Sequence, residues 1–271
     1  SGSRGASVCK GAAELEAAIR DAADHSRNGD VIIEQYMVDK QDFTVTFLFA
    51  NGEPYLVRIG DRYLGREEDG LHRQCIATVC PSAHSELYFA HVHNRVIGML
   101  KALGIQNGPV FLQGFIDGET VRFYDPGIRF PGGEYDRLLR EATGIDTMKI
   151  MVIYALSGAI RNPETLLRGA WRLEGKTVVQ LTVTARSGRI AAYEGFAEIQ
   201  SLPGVICVAP KSAVGAVIPF SGDLKQRVVE IAYVAENRAS SEAMAEEIYR
   251  RLRILDEDGN DMVVSRFDQK A

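Results

Sequence analysis

The chain has 271 residues, 46% hydrophobic and 25% charged, the composition of an ordinary globular protein with room for one large core or two modest ones. Its formal net charge is −5, with Lys and Arg scattered rather than clustered, which argues against a nucleic-acid surface built on a basic stripe. No apolar run approaches the ~20 residues that span a bilayer, so no membrane partner is expected either.

The four cysteines, Cys9, Cys75, Cys80 and Cys207, lack CxxC spacing, and the nearby His72 and His84 complete no zinc pattern. Buried free thiols in a reducing, cytoplasmic setting are the expectation.

In chain order, "AAELEAAIRDAADHSRNG" spaces Leu15, Ala18, Ile19 and Ala22 as one helical face, with Gly29 as a stop. "DVIIEQYMV" reads as a strand. "DFTVTFLFANGEPYLVRIG" reads as two strands hinged at Asn51-Gly52, the strongest short hairpin signal. "SELYFAHVHNRVIGMLKALG" predicts one helix with Leu87, Ala90, Ile97 and Leu100 on one face. His91 and His93 are two apart on it, so they face different ways and do not suggest a metal pair.

"GPVFLQGFIDGETVRFYD" predicts a second hairpin turning near Asp117-Gly118, followed by helices over "EYDRLLREATG" and "DTMKIMVIYALSGAI". From about residue 166 the texture changes. "TVVQLTVTARSGRIAAYEG" predicts a hairpin turning at Ser187-Gly188, "GVICVAP" and "QRVVEIAYVAE" strands, "SSEAMAEEIYRRLRIL" a helix, and "DEDGNDMVVSRF" a solvated turn and a last strand. The fold class is α+β, with residues 1–165 as one domain and 166–271 as a smaller α+β carboxy-terminal module.

Chemistry-bearing residues cluster in three places. The loop "SGSRG" (Gly2, Ser3, Arg4, Gly5) lets backbone N–H groups approach an anion, with Arg4 as a forked donor. Glu34 and Asp42 either present two carboxylates to one cleft or are solvated acids on an edge strand. In "VFLQGFIDGETVRFYDPGIRFPGG", Pro126 and Gly127 break the ladder between Asp125 and Arg129, so both side chains leave the sheet at its end. An odd hairpin loop pairs Gln113 with Asp125 on one face, making a small oxygen-lined site for Mg²⁺; a two-residue turn puts them on opposite faces. Arg62 either reaches a substrate carboxylate or pairs with Asp61 or another acid.

In this order and at these distances, the pieces resemble the ATP-grasp superfamily, especially its carboxylate–amine ligase-like members related to carbamoyl phosphate synthase and biotin carboxylase. The resemblance covers roughly residues 1–165. It implies a partial ATP-grasp fold, a remnant of the lid subdomain plus an antiparallel-sheet core, lacking the first strand and the preceding domain. It likens "SGSRG" to the lid over the phosphates, Glu34 and Met37 in "IIEQYM" to the adenine hinge, and Asp42 to the ribose acid. Gln113 falls at the first metal ligand, Asp125 at the second, Gly127 at the motif's Asn, and Arg129 at the catalytic Arg. ATP and Mg²⁺ are the implied cofactors, and a small-molecule carboxylate and an amine the implied substrates, joined through an acyl phosphate. As a fragment, the chain is expected to be inactive by itself. Gln113 and Gly127 depart from the pattern and keep open a non-catalytic ATP-binding or scaffold role, and a homo-oligomer is left open as well.

Overall fold

The computed structural model describes residues 5–37, 40–65, 74–220 and 224–267. These fall into two compact units, residues 1–40 and 41–271.

In the first unit, α1 spans Ala12–Asp24. Glu14 fastens its start, since its Oε2 accepts from the Lys10 N–H at 3.0 Å, beside the positive end of the helix. Leu15, Ala18, Ile19 and Ala22 are half-buried and most of the other side chains exposed, which is the face the spacing predicts. The helix ends at Asp24, short of Gly29. Residues 30–37 form no strand, contrary to expectation, and Ile32 and Ile33 are 86% and 63% exposed. A strand needs a neighbour for its N–H and C=O groups, and this unit has no other strand among the described residues.

The second unit is organised by strands β1 (Asp42–Ala50), β2 (Glu53–Leu64) and β3 (Cys75–Cys80). The predicted Asn51-Gly52 hinge is present. Ala50 faces Glu53, and both hinge residues have left-handed φ of 55° and 83°, as a two-residue turn matched to strand twist requires. Helices α2 (Ser85–His91) and α3 (His93–Ala102) replace the single helix expected. The break at Val92 shifts the inward face to Tyr88, Val92, Val96 and Leu100, leaving Ala90 exposed and Leu87 and Ile97 half-buried.

Hairpin β4 (Gly108–Asp117) and β5 (Thr120–Gly127) follows, then α4 (Tyr135–Thr143), α5 (Thr147–Ser157) and α6 (Pro163–Leu167). Asp146 caps α5 through the Lys149 N–H at 2.8 Å. Beyond these come β6 (Thr177–Ala185), β7 (Gly188–Arg189), β8 (Ala192–Glu194) and α7 (Phe196–Gln200). The chain finishes with β9 (Val205–Pro210), β10 (Val217–Ile218), β11 (Arg227–Ala235), α8 (Arg238–Arg251), β12 (Arg253–Leu255) and β13 (Val263–Ser265).

Among the described residues, one antiparallel sheet of nine strands has the order β5-β4-β1-β2-β3-β6-β11-β9, with β13 added on β6. The sheet is continuous past residue 165, because β3 pairs with β6 from Ala77 opposite Leu181 to Cys80 opposite Val178. The hairpin expected at Ser187-Gly188 does not form. Both edges of β6 are already held by β3 and β11, so β7 pairs with β10 and β8 with β12 instead.

Phe43, Val45, Phe47 and Phe49 of β1 pack on α2 and α3, and each such burial contributes about 2 kcal/mol. Leu138, Leu139 and Ala142 of α4 cover the opposite face at Leu48, Cys80, Val178 and Ala232. Every residue of β1 is buried. No helix is long and apolar enough to cross a membrane among the described residues, and the four cysteines are unpaired.

Asp61 ties β2 to two later segments. It accepts from the Ala83 N–H at 2.8 Å and Arg238 Nη2 at 3.2 Å, from the Ser82 hydroxyl, and lies 3.0 Å from His84 Nδ1. Burial pushes its carboxyl up, but the bonds from His84, Ser82 and Ala83 outweigh it and leave the pKa below the ordinary 3.8. Its stabilisation is therefore complete above that ordinary value and is lost as pH falls through the lower folded value. Asp61→Ala is expected to cost about 3 kcal/mol or more at neutral pH. Urea denaturation across a pH series should show the gap to wild type closing below about pH 4.

Candidate functional site

Because Phe43, Val45 and Phe47 point to α2 and α3, strand alternation sends Asp42, Thr44 and Thr46 to the other face. Opposite them stand Arg62, Gly60 and Arg58 on β2, and Phe115, Gln113 and Phe111 on β4. The polar residues of three strands thus share one face of the sheet.

Arg62 is the hub of this face. Its Nη1 donates to Asp42 Oδ1 at 2.7 Å, to the Tyr124 hydroxyl at 2.9 Å and to Gln113 Oε1 at 3.0 Å. The Tyr124 hydroxyl in turn donates to Asp42 Oδ2 at 3.0 Å. Asp42 is 4% exposed, so its charge is held by these two donors rather than by water. Burial works against the Arg62 charge, but Cys75, Asp42 and Tyr124 reverse that and hold the guanidinium firmly protonated. Burial and then Asp42 push the Tyr124 phenol well above its ordinary value, so it stays a neutral donor. Of the two readings of Arg62, the pairing with another acid holds. That acid is Asp42, because Asp61, one residue away, points to the opposite face.

Gln113 and Asp125 face each other directly, the arrangement expected of an odd loop, although the turn is the two-residue Gly118-Glu119. A bulge reconciles the two. Pairing runs from Asp117–Thr120 to Gly114–Phe123, then jumps to Gln113–Asp125, leaving Tyr124 as the extra residue. Tyr124 lies on the face of Gln113, where the even turn alone would place it, and bonds to Asp42 and Arg62 while its ring stacks on Phe115 with centroids 4.7 Å apart; the bulge adds Asp125 to the same face. Nothing local in the sequence announces the bulge that brings in Asp125, and Tyr124 stands in no motif that would single it out.

Gly127, at the position the resemblance gives to Asn, lies where a Cβ would come 2.2 Å from Phe111 Cε1. The Phe111 ring takes the space a side chain would need, and the Arg129 guanidinium lies 4.7 Å over the same ring. Arg129 is exposed, with Nη1 donating to the Phe130 carbonyl at 2.9 Å. Arg58, also missed from sequence, is 4% exposed and stacks 4.7 Å over Tyr135, its Nε without a hydrogen-bond partner.

Gly5, Glu34 and Met37 lie in the first unit. Gly5 has φ +71°, and a Cβ there would meet His25 at 2.9 Å. Glu34 is exposed and Met37 half-buried. Gly2, Ser3 and Arg4 lie outside the described residues.

The donors on the sheet face do not suit Mg²⁺. Among the described residues no three acidic, His or Cys side chains group to hold a metal. Gln113 Oε1 is engaged by Arg62, which leaves Asp125 as one exposed carboxylate for a cation that prefers several charged oxygens.

Residues 180–255 match the family model of L-amino acid ligase C-terminal domain 2. Sequence comparison with the curated proteins gives no match. Among solved structures, L-amino acid ligase from Bacillus licheniformis is similar at 20% identity and a TM-score of 0.65, over 82% of this chain and 55% of that one. Biotin carboxylase from Campylobacter jejuni, in a complex with β-γ-ATP, is similar at 17% identity and a TM-score of 0.68, over 94% and 56%. The biotin carboxylase domain of Hydrogenobacter thermophilus 2-oxoglutarate carboxylase, with MgADP and bicarbonate, follows at 18%, 0.69, 94% and 55%. The chain has a partial ATP-grasp fold and spans little more than half the length of these proteins.

Two substitutions check the geometry. Asp42→Ala should cost about 3–5 kcal/mol in chemical denaturation, because it strands a guanidinium in the sheet. Gly127→Asn should cost about 1–3 kcal/mol by overpacking against Phe111, and adding Phe111→Ala should make the Asn cheaper to accept.

Proposed function

We propose that this chain is the nucleotide-handling part of an ATP-dependent ligase that joins a carboxylate to an amine through an acyl phosphate. The observation that carries the reading is the charged, hydrogen-bonded cluster of Asp42, Arg62, Gln113 and Tyr124 on one face of an ATP-grasp sheet. The family match inside residues 166–271 supports the ligase kind, and we place the functional division near residue 165, with a carboxy-terminal module after it.

In this reading Glu34 and Met37 hold adenine, and the loop of Gly2, Ser3, Arg4 and Gly5 closes over the phosphates to keep water from a hydrolysable acyl phosphate. Asp42 acts by orienting Arg62, since both of its oxygens are occupied by Arg62 and Tyr124. Arg129, exposed at the strand end, steadies charge on the transferring phosphoryl group with its fork. Phosphoryl transfer asks mainly for such positioning and charge.

A second reading, nucleotide binding without turnover, is favoured by Gln113 being tied to Arg62 and Gly127 being closed by Phe111. ADP release by the gene product that carries this chain, measured across a panel of carboxylates and amines, separates the two. Release that depends on one pair supports the ligase, and nucleotide binding with no release under any pair supports the second reading. Arg129→Ala is expected to abolish release while nucleotide affinity, read by calorimetry, stays within about twofold of wild type. A fully active Arg129→Ala protein refutes the role given to Arg129.

A further inference from the structure

We propose that Arg62 is the resident cation of this sheet face, and that the site takes the phosphates of a nucleoside di- or triphosphate without a divalent metal. The inference rests on the nucleotide reading above.

Two independent sets of contacts lead to it. The first is the state of the oxygens. Gln113 Oε1 and Asp42 Oδ1, 3.0 and 2.7 Å from Arg62 Nη1, already coordinate a positive charge. A divalent ion drawn to them would lie against a guanidinium that Asp42 and Tyr124 hold in place. Asp125, directly opposite Gln113, offers it a single carboxylate.

The second is an excess of guanidinium donors on the same face. Arg58, four residues before Arg62 on β2, is buried with its Nε unpartnered, and it has no carboxylate within ion-pair distance among the described residues. Arg227 faces Thr184 on β6, four residues from Gln180, which is in register with Thr78 and so with Arg62. Its Nε is also buried without a partner. Donors left open in the interior are costly and call for an anion to complete them. On Arg62 all three hydrogen bonds leave from Nη1, so the Nε and Nη2 edge is the one that would meet phosphate oxygens.

The test uses the full chain. Manganese is titrated by electron paramagnetic resonance, where the free-ion signal reports binding, and ADP is titrated by calorimetry in chelator and in magnesium. Wild type should leave the manganese signal undiminished, and the double variant Arg62→Gln/Gln113→Glu should quench it. ADP affinity should change by less than about twofold between the two buffers. Manganese binding by wild type that disappears in Asp125→Asn overturns the proposal, as does an ADP affinity about tenfold or more higher with magnesium. ADP binding in neither buffer overturns the phosphate assignment and the nucleotide reading together, while the manganese titration decides metal exclusion separately. The wild-type titrations decide the matter even if the double variant does not fold.

Discussion

Strand β1 is covered on both faces, so any charge it carries must be answered within the sheet. Asp42 sits at its first position, and water cannot solvate it there. The answer is Arg62, directly across the ladder, and the rest of the candidate site is arranged by what Arg62 then needs. Gln113 turns its carbonyl oxygen to the guanidinium, and Tyr124 bridges the pair. One buried carboxylate thereby sets three further side chains, one from each of three other strands.

Gln113 and Gly127 are each fitted to their local packing. An acid at position 113 would place two carboxylates around one guanidinium, where the neutral amide leaves the Asp42–Arg62 pair charge-balanced. A side chain at position 127 would strike Phe111, whose ring also supports Arg129. Each position has a neighbour that its present residue fits, so an acid at 113 or an Asn at 127 is expected to disturb the packing around it.

Legibility in the sequence followed the range of the interaction involved. The Asn51-Gly52 hinge was readable because a two-residue turn depends on two backbone conformations and little else. Residues 30–37 carry strand composition but have no neighbour strand in their unit, and residues 177–194 contain a plausible turn between strands whose edges were already taken. Neither fact is local. The site shows the same division. Gln113, Asp125 and Arg62 were recognisable as chemistry-bearing residues, but the placement of Asp125 opposite Gln113 hung on one bulge. Likewise the choice between Asp61 and Asp42 as partner of Arg62 came down to which face a pleated strand presents, not to closeness in sequence.

The bulge at Tyr124 makes the β4–β5 hairpin a parity device. Its turn is even and its site requires odd spacing, so a single unpaired residue carries the whole correction. Removing one residue between the turn and Asp125 would return the ladder to regular pairing with Asp125 still opposite Gln113, and would cost the face Tyr124, which can share it with Asp125 only through the bulge. Lengthening the turn beyond Asp117 and Thr120 would leave the pairing on the site side of the bulge untouched. The hairpin tip is therefore free to vary in length, while the short span from Phe123 to Asp125 is held to its count.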